Sequence, residues 1–248
     1  MNPVHYLIAM ISIIFFILSG LTLQNSSCEY YPPEEAEIFT QGVDIIYNDP
    51  GIAAVHHYEK LYNIDGDEFI ADLFVAVAYA SIMEKYRSTS FDSIFTTKIN
   101  AAIEKGRKQL NKDENNAKTL LYLGGALGTR GVRRAYLGDW KGAFADAQEA
   151  HEILHKCIEV DPDMYDAYYG LGLYHYYKSI KVNMIRKYFP VIWLLGPIID
   201  LFKNERELGL EQLDDSCKKG LFSERATKHA LLRIYIEEKW YDKYFALA

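Results

Sequence analysis

"EVDPDMYDAYYGLGLYHYY", residues 159–177, places six tyrosines and two glycines behind an Asp-Pro-Asp turn signal. Its reading decides the fold, because it can be a ligand-cradling loop, an aromatic surface or a helix whose glycines serve packing. Two earlier stretches share its form: "NIDGDEF" at 63–69 and "NKDENNA" at 111–117. The aspartates of the three boundaries, Asp65, Asp113 and Asp161, stand 48 residues apart each time. Eleven residues past each one comes a small residue in an apolar stretch: Ala76, Gly124 and Gly172. A shared register of this kind is the signature of an internal repeat, and it predicts that the quoted stretch is helical.

Before each boundary lies a second stretch of small and apolar residues at helical spacing. The sets are Ala54, Tyr58 and Leu61; Ala102 and Gly106; and Ala150, Leu154 and Cys157. Steps of three and four put each set on one face of a helix. Each unit is therefore expected to be a helical hairpin, with several in a row.

The chain resembles the tetratricopeptide repeat (TPR) family. The resemblance rests on Leu123-Gly124 and Leu171-Gly172 in first helices, on "YLGDWKGA" (136–143) and "YIEEKWYDKY" (235–244) before second helices, and on the closing Asp161-Pro162. It implies an all-α fold, a right-handed α-solenoid of stacked antiparallel helix pairs. The expected hairpins are about 35–68, 69–116, 117–164 and 165–224, with a partial one at 225–248, in a repeat domain spanning 35–248. The first has the family's usual length, with Gly42 as its small residue. The next two are 14 residues longer, about four helical turns, so both helices of each pair are read as extended by about two turns. The chain thus looks like a divergent bacterial exported branch of the family.

Residues 1–27 differ from the rest. "YLIAMISIIFFILSGLTL", residues 6–23, carries no charge and reads as a signal peptide or membrane anchor. A tether, 28–34, comes next. Cys28 is a candidate lipidation site, and every version of this reading places Glu29 onward outside the cytoplasm: in the periplasm or on the outer face of a bacterial membrane. Within the fourth hairpin, an apolar insertion at 181–203 is broken by Pro190 and Pro197. It is expected either to fold over the open end or groove of the array and be buried there, or to form a lip dipping into a membrane surface. The last pair stops two turns into its second helix, which reads as a truncated chain or as an end covered by a partner.

Composition narrows the function classes. There are 27 Lys and Arg against 34 Asp and Glu, a net charge of −7, with no basic run, so nucleic acid is not an expected partner. The three cysteines, Cys28, Cys157 and Cys217, are too few and too scattered for a disulfide framework or a zinc knuckle. The latter two read as small packed thiols. "GGALGTRG" (124–131) lacks the Lys-Ser/Thr of a phosphate loop, and no serine sits in a nucleophile elbow.

One motif does carry chemistry. "HEILH", 151–155, is the H-E-x-x-H pattern in which His151 and His155 share a helix face and ligate zinc while Glu152 acts as base. Against a zinc metallopeptidase stand the charged flanks Glu149 and Lys156, the packed register already assigned to Ala150, Leu154 and Cys157, and the want of a third ligand in the sequence. His56-His57 reads as a surface or packing pair. Arg130, Arg133 and Arg134 gather near a hairpin end, either as an anion clamp or as partners of nearby carboxylates.

The expected function is therefore a non-enzymatic scaffold of the cell envelope, without cofactor, whose first helices line a groove for a protein or peptide partner. The candidate groove residues are Asp166, Tyr169 and Tyr176. The competing readings are the peptidase and an envelope-assembly or lipid-handling factor that uses the 181–203 insertion.

Overall fold

The computed structural model describes residues 31–49, 51–64, 68–188 and 204–248, with the side chains of 180–188 left aside. The expected signal or anchor segment, Cys28 and most of the apolar insertion lie outside the described residues. The described chain is all-helical: α1 (Pro33–Asn48), α2 (Ile52–Tyr58, continued by a 3-10 turn over Glu59–Asn63), α3 (Glu68–Lys85), α4 (Asp92–Leu110), α5 (Ala117–Tyr136), α6 (Trp140–Val160), α7 (Ala167–Tyr188), α8 (Arg206–Lys219), α9 (Glu224–Glu237) and α10 (Tyr241–Leu247). Helix α7 runs to Tyr188, so the first eight residues of the expected insertion continue that helix.

Consecutive helices pack as pairs, α3 on α4, α5 on α6 and α7 on α8, and each second helix also meets the first helix of the next pair. The repeated aspartates shape the joints. Asp113 accepts the backbone N–H of Asn115 at 3.2 Å, and Asp161 accepts that of Asp163 at 3.0 Å. Both are Asx turns, which draw the backbone away from continuing the previous helix. Asn116 and Asp139 then cap α5 and α6 by accepting from Thr119 N and Gly142 N, each at 2.9 Å. Gly138 adopts φ +85°, which lets the chain reverse between these two helices.

The small residues of the register sit where helices approach. A Cβ on Gly42 would overlap the Tyr58 ring, and one on Gly106 would lie 2.7 Å from the Phe69 ring. On Gly124 it would lie 2.5 Å from Leu154 Cγ. Gly170, which has no counterpart in the 48-residue register, faces the same leucine: its Cβ would fall 2.5 Å from Leu154 Cδ1. Leu154, on α6, is thus seated between a glycine of its own pair and a glycine of the next, so two successive pairs close over one side chain.

Most of the core forms one continuous cluster from Tyr31 to Leu171, with a smaller one at Tyr176, Leu213, Leu231 and Ile234. Phe222, in the joint before α9, contacts four rings far from it in sequence: Tyr31 (6.0 Å between centroids), Phe39 (5.7 Å), Phe74 (5.8 Å) and Tyr122 (6.2 Å). Arg225 and His229 extend this contact along α1 through an ion pair with Asp44 (2.9 Å) and a stack on Tyr47 (4.5 Å). The fifth pair therefore returns onto the first. Edge-to-face and stacked rings add about 0.5–1.5 kcal/mol per pair beyond area burial, which favours this closure.

Candidate functional site

The three expected groove residues do not line an open surface together. Asp166 is buried, and its carboxylate accepts from the backbone N–H of Phe222 (3.1 Å) and Ser223 (2.9 Å) and from the Ser223 hydroxyl (2.7 Å), while Tyr31 donates to it at 3.4 Å. Burial pushes its carboxyl above the usual aspartate range, and the donors at residues 221–223 pull the other way without cancelling it. Its place is at the start of α9, pinning the Phe222 joint. Tyr176 is fully buried in the smaller cluster and donates its hydroxyl to Glu238 at 2.8 Å. Tyr169 is half-buried and packs against that same cluster. Their side chains serve the return of the fifth pair, because the face that periodicity leaves free is covered by residues 222–238.

The arginines are likewise engaged within the fold. Arg130 grips Asp146 with two nitrogens at 3.0 and 2.7 Å, and Arg134 reaches the same carboxylate at 2.9 Å. Arg133 pairs with Asp92 at 2.6 Å. Asp146 is nearly inaccessible, so this is a buried carboxylate held by two guanidinium groups across the α5–α6 interface. An anion would have to displace a carboxylate already bound bidentately.

The histidines come out differently. His151 on α6 is half-buried, and His175 on α7, which the sequence pattern does not single out, is buried with its Nε2 only 3.2 Å from His151 Nε2. Gln212 of α8 lies 2.7 Å from His175 Nδ1 through its amide oxygen, so Nδ1 carries a proton and donates it. His151 also stacks on Tyr174, with centroids 4.2 Å apart. Burial, then His175, His155 and Lys178, push His151 down to about 4, with Glu205 opposing weakly. His155, one turn along α6, is exposed and pairs with Glu159 at 3.2 Å. Glu152 is exposed and accepts from Gln148 at 3.3 Å. Among the described residues no three His, Cys, Asp or Glu side chains stand together at metal-holding separation. His57, by contrast, bonds the carbonyl of Ile38 at 2.9 Å from inside the first pair.

Cys157 is buried, its thiol donates to the carbonyl of Ala117 at 3.3 Å, and burial pushes it up to about 12. It behaves as a packed, unreactive side chain. Cys217 is half-buried and not paired with it.

An apolar surface that sequence reasoning did not single out lies at the turn between α5 and α6. Val132 (73% exposed) and Tyr136 (56%) stand one turn apart on α5, and Trp140 (68%) and Phe144 (62%) one turn apart on α6. Leu137 in the turn is also exposed, and Arg133 stacks over the Tyr136 ring at 4.8 Å. Among the described residues no helix is long and apolar enough to cross a membrane.

No protein-family model matches the chain, and no curated protein matches it.

Proposed function

We propose that this chain is an exported, non-enzymatic helical-repeat scaffold, a right-handed solenoid resembling the tetratricopeptide repeats, that binds a protein partner in a bacterial cell envelope. The observation that carries this reading is the exposed apolar end of the α5–α6 pair: Val132, Tyr136, Trp140 and Phe144. Exposed apolar patches of this kind mark interaction sites, and Trp, Tyr and Arg are the side chains that most often anchor them. The patch consists of two side-chain pairs at i, i+4 spacing on adjoining helices. Such ridges receive the grooves of another helix, so the partner is an apolar helix of another protein.

The surface replaces the groove first expected at Asp166, Tyr169 and Tyr176. Those residues support the reading only indirectly, by holding the array closed. A peptidase is less well supported, because Glu152 is exposed and bonded along its own helix. The lipid-handling reading rests on the 181–203 insertion, of which residues 189–203 lie outside the described residues.

The test is site-specific photocrosslinking in the producing cell, with the crosslinker at Trp140 or, as a control, at Glu207 of α8. A single crosslinked protein from position 140, lost when Phe144→Asp is added while the melting temperature holds, supports the scaffold. Identical products from both positions sink it. Protease accessibility of the same chain in intact and permeabilised cells decides export.

A further inference from the structure

We infer that the partner of the α5–α6 surface is an amphipathic helix with acidic residues beside its apolar stripe, and that Arg87 and Lys141 receive those carboxylates. The inference rests on the docking reading and adds to it the partner's charge and the side chains that select it.

The apolar surface continues onto the turn between α3 and α4. Arg133 of α5 donates to Asp92 at 2.6 Å and to the carbonyl of Ser88 at 3.3 Å, and the same guanidinium lies over the Tyr136 ring. The turn is thereby tied to the rim of the surface. Tyr86 in this turn and Ile94 in the first turn of α4 are exposed too. A partner helix is about 10 Å across, so one seated on Tyr136 and Trp140 has Arg87, the neighbour of Ser88, and Lys141, the neighbour of Trp140, within reach.

The chain carries a net charge of −7, yet the charge left unmatched here is positive. Asp92 is held by Arg133, Asp139 by Arg134 at 3.7 Å, and Asp146 by Arg130 and Arg134. Glu84, three residues before Arg87, acts on Arg233 of α9 and Tyr47 of α1. Arg87 and Lys141 are exposed, and among the described residues neither has an ion pair. Unmatched cations at the rim of an apolar surface are complementary to carboxylates at the edge of a partner's apolar face.

Both cations also stand where local physics disfavours them. The N–H of Ser88 reaches back to the carbonyl of Met83 at 2.9 Å, and that of Asp139 to the carbonyl of Arg134 at 2.9 Å, so α3 and α5 are closed in the same way. The residue that takes positive φ is Gly138 after α5 but Arg87, at +48°, after α3, where glycine would be unstrained. Lys141 lies in the first turn of α6, where the helix dipole favours an anion. Residues that break local rules in this way gather at functional sites.

The experiment uses the full-length chain in its producing cell, with the photocrosslinker at Trp140 as the probe and mass spectrometry of the crosslinked peptide. The expected peptide carries Asp or Glu beside apolar residues spaced three and four apart. Arg87→Glu and Lys141→Glu each lower the crosslink yield about two- to fivefold, and the double variant lowers it at least about tenfold. Lys112→Glu, in the joint between α4 and α5, makes the same change of net charge and leaves the yield unchanged. Arg87→Gly removes the charge and eases the backbone, so it lowers the yield while the melting temperature rises; this variant decides if the double variant folds poorly. A protein crosslink undiminished by these substitutions, or a basic crosslinked peptide, overturns the inference and leaves the docking reading standing. A crosslink to lipid or to a second copy of this chain, or none at all, overturns both.

Discussion

Gly172 and Gly209 hold α7 and α8 backbone to backbone. A Cβ on Gly172 would lie 2.8 Å from the Gly209 carbonyl oxygen, and a Cβ on Gly209 would lie 2.7 Å from that of Gly172. Alanine at either position gains about 1 kcal/mol of helix propensity, yet overpacking costs about 1–3 kcal/mol and the obstacle is backbone, which cannot swing aside. Gly172→Ala and Gly209→Ala are therefore expected to lower the urea midpoint. Gly128→Ala, where a Cβ would meet nothing within 4 Å, should raise stability by about 0.5–1 kcal/mol. A stabilised Gly172→Ala would show that the two helices do not approach this closely.

Leu154 fills the space between Gly124 and Gly170. Truncation to alanine should cost about 2–5 kcal/mol, the range for a buried leucine whose site cannot collapse. Because Leu154 bridges two pairs, hydrogen exchange should rise in both α5 and α7, and a rise confined to α6 would refute the bridging role.

Asp72 of α3 is buried, and Lys98, Lys105 and Tyr62 all donate to it. Burial alone would raise its carboxyl, but the bonds from Lys105, Tyr62 and Lys98 outweigh burial and hold it below the usual aspartate range. A depressed folded value stabilises the protein above the ordinary aspartate pKa of about 4, and that stabilisation is lost as pH falls through the lower folded value. Asp72→Asn should cost about 2 kcal/mol at pH 7, less than a fully buried pair because both lysines are partly exposed. The gap to the unsubstituted protein should narrow in denaturation curves taken toward pH 3, a pH below the ordinary value of about 4.

Asp166 holds two amides and a hydroxyl at the Phe222 joint. Asp166→Ala leaves these donors buried without an acceptor, at about 1–3 kcal/mol each before relaxation. The expected outcome is a lower melting temperature and faster amide exchange at Phe222 and Ser223. Unchanged exchange at those amides would mean the carboxylate does not pin the joint.

The helical pairs were legible because their signals are local. Ala76, Ala102, Leu154 and Cys157 belong to packed faces by three- and four-residue spacing, and each is buried. Asp113 and Asp161 were legible as joints because an Asx turn needs only the next two residues. Gly170 was not legible, since its reason is a leucine on the preceding helix. His175 escaped notice for a like cause: it stands 24 residues from His151, outside any spacing that a single helix imposes.

What the sequence by itself determined is the helical character and the order of the helix pairs, because periodicity and turn chemistry act within a few residues. Which of the remaining faces stay open was decided only by tertiary structure. Tyr31 meets Asp166 across 135 residues, and Phe222 meets Phe39. The first joins the approach to α1 to the start of α7, and the second forms as the joint before α9 packs back onto the first pair. That closure buries Asp166, leaves Trp140 and Phe144 in water, and is written in no local pattern, since burial depends on which distant element arrives at a face.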